Sequence, residues 1–132
     1  MEIPGLVTLQ SHHGAEETMN RFEAEVRARG MFIFARIDHA AGAAAVGLDL
    51  RPTEVLIFGA AKGGTPLMQL TQTIGIDLPL KALVWSDASG ATCLSYKDPT
   101  WLAERHGVAI EGAAATQAMR SMLAGMVEAA TA

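Results

Sequence analysis

The chain has 132 residues, of which 50% are hydrophobic, a formal net charge of −4 and a single cysteine, Cys93. This length and apolar content indicate one folded domain with a real core and exclude a disordered chain. The negative charge and the absence of a basic run argue against nucleic-acid binding, which needs clustered Lys and Arg. One cysteine excludes an intrachain disulfide and a cysteine-rich zinc site.

The targeting signals of the sequence are few. Residues 1–5 contain neither a basic segment nor a long apolar run, so we expect no signal peptide. The longest apolar runs are far shorter than the roughly 20 residues that cross a membrane. The single cysteine also fits a reducing compartment. We therefore expect a cytoplasmic protein without a membrane partner.

The first part of the chain predicts strands and helices in alternation. Alternating side chains over residues 5–10 and 31–38 predict two β-strands. Between them, residues 15–29 show the apolar stripe of an amphipathic helix. The Ala-rich residues 39–45 predict a short helix, and weak alternation over residues 46–50 predicts an edge strand.

The central stretch predicts a strand, a glycine loop and a helix. Four apolar residues, Val55–Phe58, are typical of a buried strand, and Gly59–Gly64 is typical of a loop. Thr65 has the side chain of an N-cap, and Pro66 fits the first helical position. We therefore expect a helix from Thr65 to about Thr73.

The last part of the chain predicts a hairpin followed by two helices. Residues 80–87 and 91–96 are expected to pair as an antiparallel hairpin. Asp98 is the expected N-cap of a short helix that runs to Arg105. After a small-residue linker, residues 117–130 predict an amphipathic helix. Its apolar stripe is interpreted as core, with a peptide-binding groove as the alternative, and contains Met119, Met122, Leu123, Met126 and Val127.

These elements predict a two-layer α+β fold with a mostly antiparallel sheet and helices on one face. Residues 1–110 would form one domain, and residues 111–132 an added C-terminal helix that packs on the domain or at a dimer interface. Because the helices suffice for one face of the sheet only, its other face must meet that helix or a second copy of the chain. We therefore expect a homodimer.

A series of short motifs follows one another in order: Gly5–Thr8, Arg29–Gly30, Ile37–Ala41, Leu56–Gly59, Gly64–Met68, Asp77–Lys81, Ser95–Pro99 and Arg105–Gly107. Together, over residues 5–108, they resemble the bacterial and archaeal family catalogued as domain of unknown function 302. The resemblance implies a small α+β domain that forms dimers and occurs alone or fused to other modules. It implies no activity and no catalytic residues.

The glycine-rich stretch predicts a site for a small anionic molecule. A helix starting at Thr65 would aim its unpaired N–H groups and its positive dipole end at the loop, and Lys62 would add a charge. The candidate ligand-binding residues are Lys62, Gly63, Gly64, Thr65, His39 and Lys81. The stretch is not a P-loop, because two glycines separate the lysine from the threonine. The alternative is an ordinary helix N-terminus with a flexible entry loop.

Two further functions remain open from the sequence. The first is a homodimeric protein-interaction module without a ligand. The second and weaker one is an enzyme that uses His39 with Asp38, or Cys93, although no second catalytic group is placed beside them. His12, His13 and His39 lack the spacing of a metal motif. We assign no catalytic residue and no metal site, and the sequence leaves any cofactor undetermined.

Overall fold

The computed structural model describes residues 2–132, so Met1 and any prediction that includes it lie outside the described residues. The elements in chain order are β1 Leu6–Gln10, α1 Ala15–Ala28, β2 Phe32–Asp38, α2 His39–Ala45, β3 Thr53–Gly59, α3 Ala61–Leu70, a 3-10 helix Gln72–Ile76, β4 Leu80–Ser86, β5 Thr92–Lys97, α4 Pro99–Arg105 and α5 Ala113–Thr131.

The five strands form one antiparallel sheet in the order β1-β5-β4-β3-β2. Leu56 pairs with Ala82, and Val84 pairs with Leu94, and all four are fully or almost fully buried in one core with residues of α1 and α5. From α1, the ring of Phe22 meets the ring of Phe58 edge-on at 5.3 Å between centroids. The predicted two-layer α+β class is confirmed.

The side chains between these core positions point to the other face of the sheet, because successive residues of a strand alternate. Trp85 lies there, and its Nε1 donates a hydrogen bond of 2.9 Å to Ser95 Oγ. Ser95 Oγ also lies 2.7 Å from Thr8 Oγ1 on β1. These bonds pair the polar groups of Trp85, Ser95 and Thr8 with one another.

Helix α5 begins at Ala113, which is four residues earlier than predicted. The presumed linker contains three consecutive alanines, which are strong helix formers, and Thr116 is buried at the start of the helix. The helix packs against α1, α3, α4 and β1. Leu123 and Met126 are buried in the core, as the apolar stripe predicted.

The predicted edge strand over residues 46–50 is wrong. Helix α2 ends there in a turn: the N–H groups of Val46 and Leu48 both donate to the carbonyl of Ala43, at 3.1 and 2.9 Å. Gly47 adopts a φ of 78°, a conformation that glycine accepts without strain. Alternation alone does not make a strand where no partner strand lies beside it, and Val46 and Leu48 are left exposed.

Candidate functional site

The predicted glycine loop is the first turn of a helix. Helix α3 begins at Ala61, and the N–H groups of Gly63 and Gly64 donate to the carbonyl of Ala60 at 3.0 and 3.2 Å. Thr65 is therefore not the N-cap, and Pro66 lies inside the helix. Glycine can adopt the helical conformation although it weakens a helix, and Pro66, which has no N–H, removes one further backbone bond.

The N-terminus of α3 is open. Its N-cap, Ala60, has no side chain that could accept a hydrogen bond, and the first turn contains no acidic residue. The first N–H groups of a helix have no partner inside the helix, and they carry the positive end of its dipole. The backbone donors that we expected at Thr65 are thus found four residues earlier, at the Ala60–Ala61 end.

A cavity of about 350 Å³ lies beside this N-terminus. Its lining includes no charged side chain and four methionines. The lining residues are Met31, Phe34, Gly59, Ala60, Ala61, Gly63, Gly64, Thr65, Met68, Leu78, Pro79, Leu80, Met119 and Met122. The cavity therefore offers an apolar, deformable interior with a helix N-terminus in its wall.

Three of the six candidate residues line this cavity: Gly63, Gly64 and Thr65. Lys62 belongs to the same helical turn but does not line the cavity. Since Lys81 follows the buried Leu80 on β4, its side chain points to the opposite face of the sheet. Lys81 Nζ lies within 3.3 Å of the Pro79 carbonyl.

His39 lies at the far end of the sheet from the glycine-rich turn. Strands β2 and β3 pair from Phe32 with Gly59 at one end to Asp38 with Glu54 at the other. The length of β3 therefore separates His39 from Gly59 by about 20 Å, at roughly 3.3 Å per residue. The six candidate residues do not form one site.

Asp38 and Cys93, which the enzyme hypothesis considered, have the following surroundings in the described residues. Asp38 is the N-cap of α2, and its Oδ1 accepts the N–H of Ala41 at 2.9 Å. Cys93 is buried, and burial together with the negative charge of Asp87 raises the pKa of its thiol. A protonated, buried thiol is a poor nucleophile.

One close pair of side chains was not predicted from the sequence. His106, at the end of α4, places its Nε2 at 2.6 Å from Asp77 Oδ2 and its Nδ1 at 3.1 Å from Thr73 Oγ1. The available signal was that Asp77 and His106 both belong to motifs shared with the resembled family. Across residues 2–132, no group of three or more His, Cys, Asp or Glu side chains is placed to hold a metal ion.

The sequence profile of the family described as Domain of unknown function DUF302 matches residues 7–129. The chain belongs to this family. The match runs through most of α5, so the final helix lies within the region that the family shares. The crystal structure of an uncharacterised conserved DUF302 protein from Bacillus stearothermophilus has the same fold, with a TM-score of 0.84 at 19% sequence identity. The similarity covers 97% of this chain and 99% of that one.

Curated relatives carry a different kind of name. The chain is 49% identical over 115 residues to a protein of Brucella suis named fluoride-specific ion channel FluC 1. A protein of the same name from Brucella abortus shows the same identity. The alignment covers 87% of this chain but only 45% and 43% of these relatives, so the chain spans less than half of their length. In residues 2–132, no helix is both long and apolar enough to span a lipid bilayer.

Proposed function

We propose that this domain binds a small amphiphilic molecule, with a short apolar body and one anionic end, in the cavity at the N-terminus of α3. The methionine-lined cavity is the observation that supports it most. Its volume of about 350 Å³ falls near the lower end of small-molecule pockets, which measure about 300–1,000 Å³. Methionine side chains are flexible and polarisable, so they adapt to ligands of irregular shape.

The open N-terminus of α3 supports the anionic end of the ligand. Ala60 and Ala61 line the cavity, and no side chain caps the helix there. A carboxylate placed at this point would accept backbone hydrogen bonds and meet the positive end of the helix dipole. Because His39 and Lys81 lie elsewhere, recognition would combine this turn with apolar contact from the methionines.

Ligand titration with thermal unfolding tests this proposal. Octanoate has both the apolar body and the anionic end of the proposed ligand, octanol has only the apolar body, and inorganic phosphate has only the negative charge. We expect octanoate to raise the unfolding temperature most, octanol less, and phosphate not at all. A ligand at 100 times its Kd stabilises the folded state by about 2.7 kcal/mol. The absence of a shift with octanoate at millimolar concentration would contradict the proposal.

A matched pair of glycine variants locates the effect. Gly63→Leu adds a large side chain beside Met119 in the cavity wall, since a Cβ at Gly63 would lie 3.8 Å from Met119 Cε. Gly42→Leu makes the same change in α2, where no atom lies within 4 Å. We expect Gly63→Leu to abolish the octanoate shift and Gly42→Leu to retain it.

We propose, as a second candidate function, that the domain acts as a protein-interaction module in a homodimer. The supporting observation is a set of exposed apolar side chains on β2 and in the segment that follows α2. It contains Phe32, Phe34, Ile37, Val46, Leu48 and Leu50, with Phe32 and Val46 both 72% exposed. Because β2 is an edge strand, a second copy could pair with it and cover these side chains.

The oligomeric state distinguishes this second candidate. We expect a dimer at micromolar concentration by light scattering after size-exclusion chromatography. Leu48→Asp would place a charge in the proposed interface and should give a monomer, whereas Ile110→Asp, at an exposed side chain outside it, should not. A wild-type chain that is monomeric at these concentrations would contradict the homodimer.

The names of the Brucella relatives suggest a context for either function. In those proteins the matching segment is 43–45% of the length, and this chain has no membrane-crossing helix in its described residues. We propose that domains of this type work beside a membrane ion channel, whose pore would come from the remaining part. Cells that express a fluoride channel with and without this domain would differ in fluoride tolerance, and equal tolerance would contradict the proposal.

A further inference from the structure

A second, polar groove lies on the other side of α5. One wall consists of Gln117, Arg120, Ser121 and Ala124, which share one face of the helix at spacings of three and four residues. The opposite face of the same helix carries Met119 and Met122, which line the methionine cavity. The other wall of the groove contains Val7, Tyr96 and Asp98. The groove is thus separate from the cavity of the proposed function.

The groove holds one ion pair with unused hydrogen-bonding capacity on both partners. Asp98 Oδ1 accepts the N–H of Thr100 at 2.9 Å and lies 3.3 Å from Arg120 Nε. In the part of the chain that the structure describes, neither partner forms an ion pair with any other side chain, so most of the carboxylate lone pairs and guanidinium donors remain unused. A carboxylate oxygen and a pair of guanidinium donors are therefore available side by side.

The remaining polar groups of the groove are neutral. Burial and the carboxylate of Asp98 raise the pKa of the Tyr96 phenol, so its hydroxyl keeps its proton at neutral pH. Gln117 and Ser121 add an amide and a hydroxyl. The nearby cations Lys97 and Arg105 lie instead over the ring of Trp101, at 4.6 and 4.3 Å from its centroid. Arg120 and Asp98 are the charged residues that line the groove, and their charges cancel.

We propose that this groove binds a small zwitterion of the α-amino acid class. Its carboxylate would accept hydrogen bonds from the terminal nitrogens of Arg120, and its ammonium would donate to Asp98 Oδ2. A zwitterion leaves the groove electrically balanced, whereas a ligand with one charge would leave an unmatched charge at a partly desolvated site. The planar guanidinium suits a carboxylate, because it presents two parallel donors. Val7 and Ala124 leave a small apolar surface for the side chain of the ligand.

Serine and its singly charged derivatives test the charge requirement. Two-dimensional NMR would follow the backbone amides of Ser121 and Tyr96 during titration with serine, N-acetylserine and serine methyl ester. We expect serine to bind and each derivative, which lacks one charge, to bind at least about tenfold more weakly, equivalent to about 1.4 kcal/mol. Equal binding of N-acetylserine would overturn the proposal, because it would indicate a simple anion site. No shift with serine at concentrations of about 10 mM would also overturn it.

Variants test the two charged residues separately. Arg120→Gln and Asp98→Asn should each weaken serine binding at least about tenfold. Asparagine is as good an N-cap as aspartate, so Asp98→Asn preserves the start of α4. Arg27→Gln changes an exposed arginine on α1 and should leave binding unchanged. If Arg120→Gln fails to fold, Asp98→Asn decides alone, and unchanged serine affinity in that variant would overturn the proposal.

Discussion

His106 Nε2 lies 2.6 Å from Asp77 Oδ2, and this contact joins the end of α4 to the residue that follows the 3-10 helix. The His106 side chain is 15% exposed and the Asp77 side chain 38%. Asp77 directly precedes Leu78 and Pro79, which line the methionine cavity. The pair therefore joins α4 to the segment that leads into one wall of the cavity.

Replacing His106 should destabilise the fold. His106→Ala removes the hydrogen bonds to Asp77 and Thr73, so we expect the free energy of unfolding to fall by about 1–2 kcal/mol. The partial exposure of Asp77 keeps the loss small, since solvent weakens such a pair. Urea unfolding measures the change. His12→Ala, at an exposed histidine, is the control, and an equal stability of the two variants would show that the Asp77 contact is not stabilising.

The two glycines of the α3 turn should tolerate alanine. A Cβ at Gly64 would lie 3.5 Å from Leu78 Cδ1, an ordinary contact, and Gly63 has similar room. Since alanine is a better helix former than glycine, each Gly→Ala change should stabilise the protein by up to about 1 kcal/mol. Thermal unfolding measures this effect.

Gly112 should not tolerate alanine, because its surroundings leave no room for a methyl group. A Cβ there would lie 2.7 Å from Leu67 Cδ2 and 2.9 Å from the carbonyl oxygen of Val108. We expect Gly112→Ala to destabilise the fold by about 1–3 kcal/mol, as overpacking does. If Gly63→Ala, Gly64→Ala and Gly112→Ala all lowered stability alike, the described packing around α3 would be contradicted.

The thiol of Cys93 should react slowly in the folded protein. Burial raises the pKa of Cys93 above its usual 9.0, so little thiolate forms at neutral pH. A group whose pKa is higher in the folded chain than in the unfolded chain stabilises the fold at a pH below its unfolded pKa. This contribution is lost as the pH rises through its folded pKa. Stability should therefore decline as the pH rises above about 9. In Cys93→Ala the decline should be smaller.

Iodoacetamide labelling checks the same point directly. At pH 8 the folded chain should be alkylated far more slowly than the urea-unfolded chain. Rapid alkylation of the folded protein would contradict the burial of Cys93 and would make the cysteine-based enzyme reading worth testing again.

The sequence predicted those parts of the fold that are determined by residues close to one another in the chain. The hairpin of β4 and β5 and the capping of α4 by Asp98 follow from residues within a few positions of one another. The start of α3 was missed because Gly63 and Gly64 weaken a helix locally, yet they lie against Leu78 and Met119, which are distant in sequence. Long-range packing overrode the local preference.

The candidate site was predicted only in part, because the rest of it also depends on long-range packing. The proximity of Gly63, Gly64 and Thr65 to a cavity follows from their place beside a buried strand. The separation of His39 and Lys81 from it depends on strand register and on which face of the sheet each residue occupies. The apolar interior could not be foreseen either, since Met31, Met68 and the α5 residues Met119 and Met122 come from three different segments of the chain.

The methionine methyl groups give the most direct test of ligand binding in the cavity. NMR of a chain labelled with methyl-¹³C methionine would follow each methyl group during titration with octanoate. We predict that the signals of Met31, Met68, Met119 and Met122 shift, while those of the fully buried core residues Met19 and Met126 stay in place. Signals of the four cavity methionines that do not respond at saturating octanoate, or that shift no more than Met19 and Met126, would contradict this prediction.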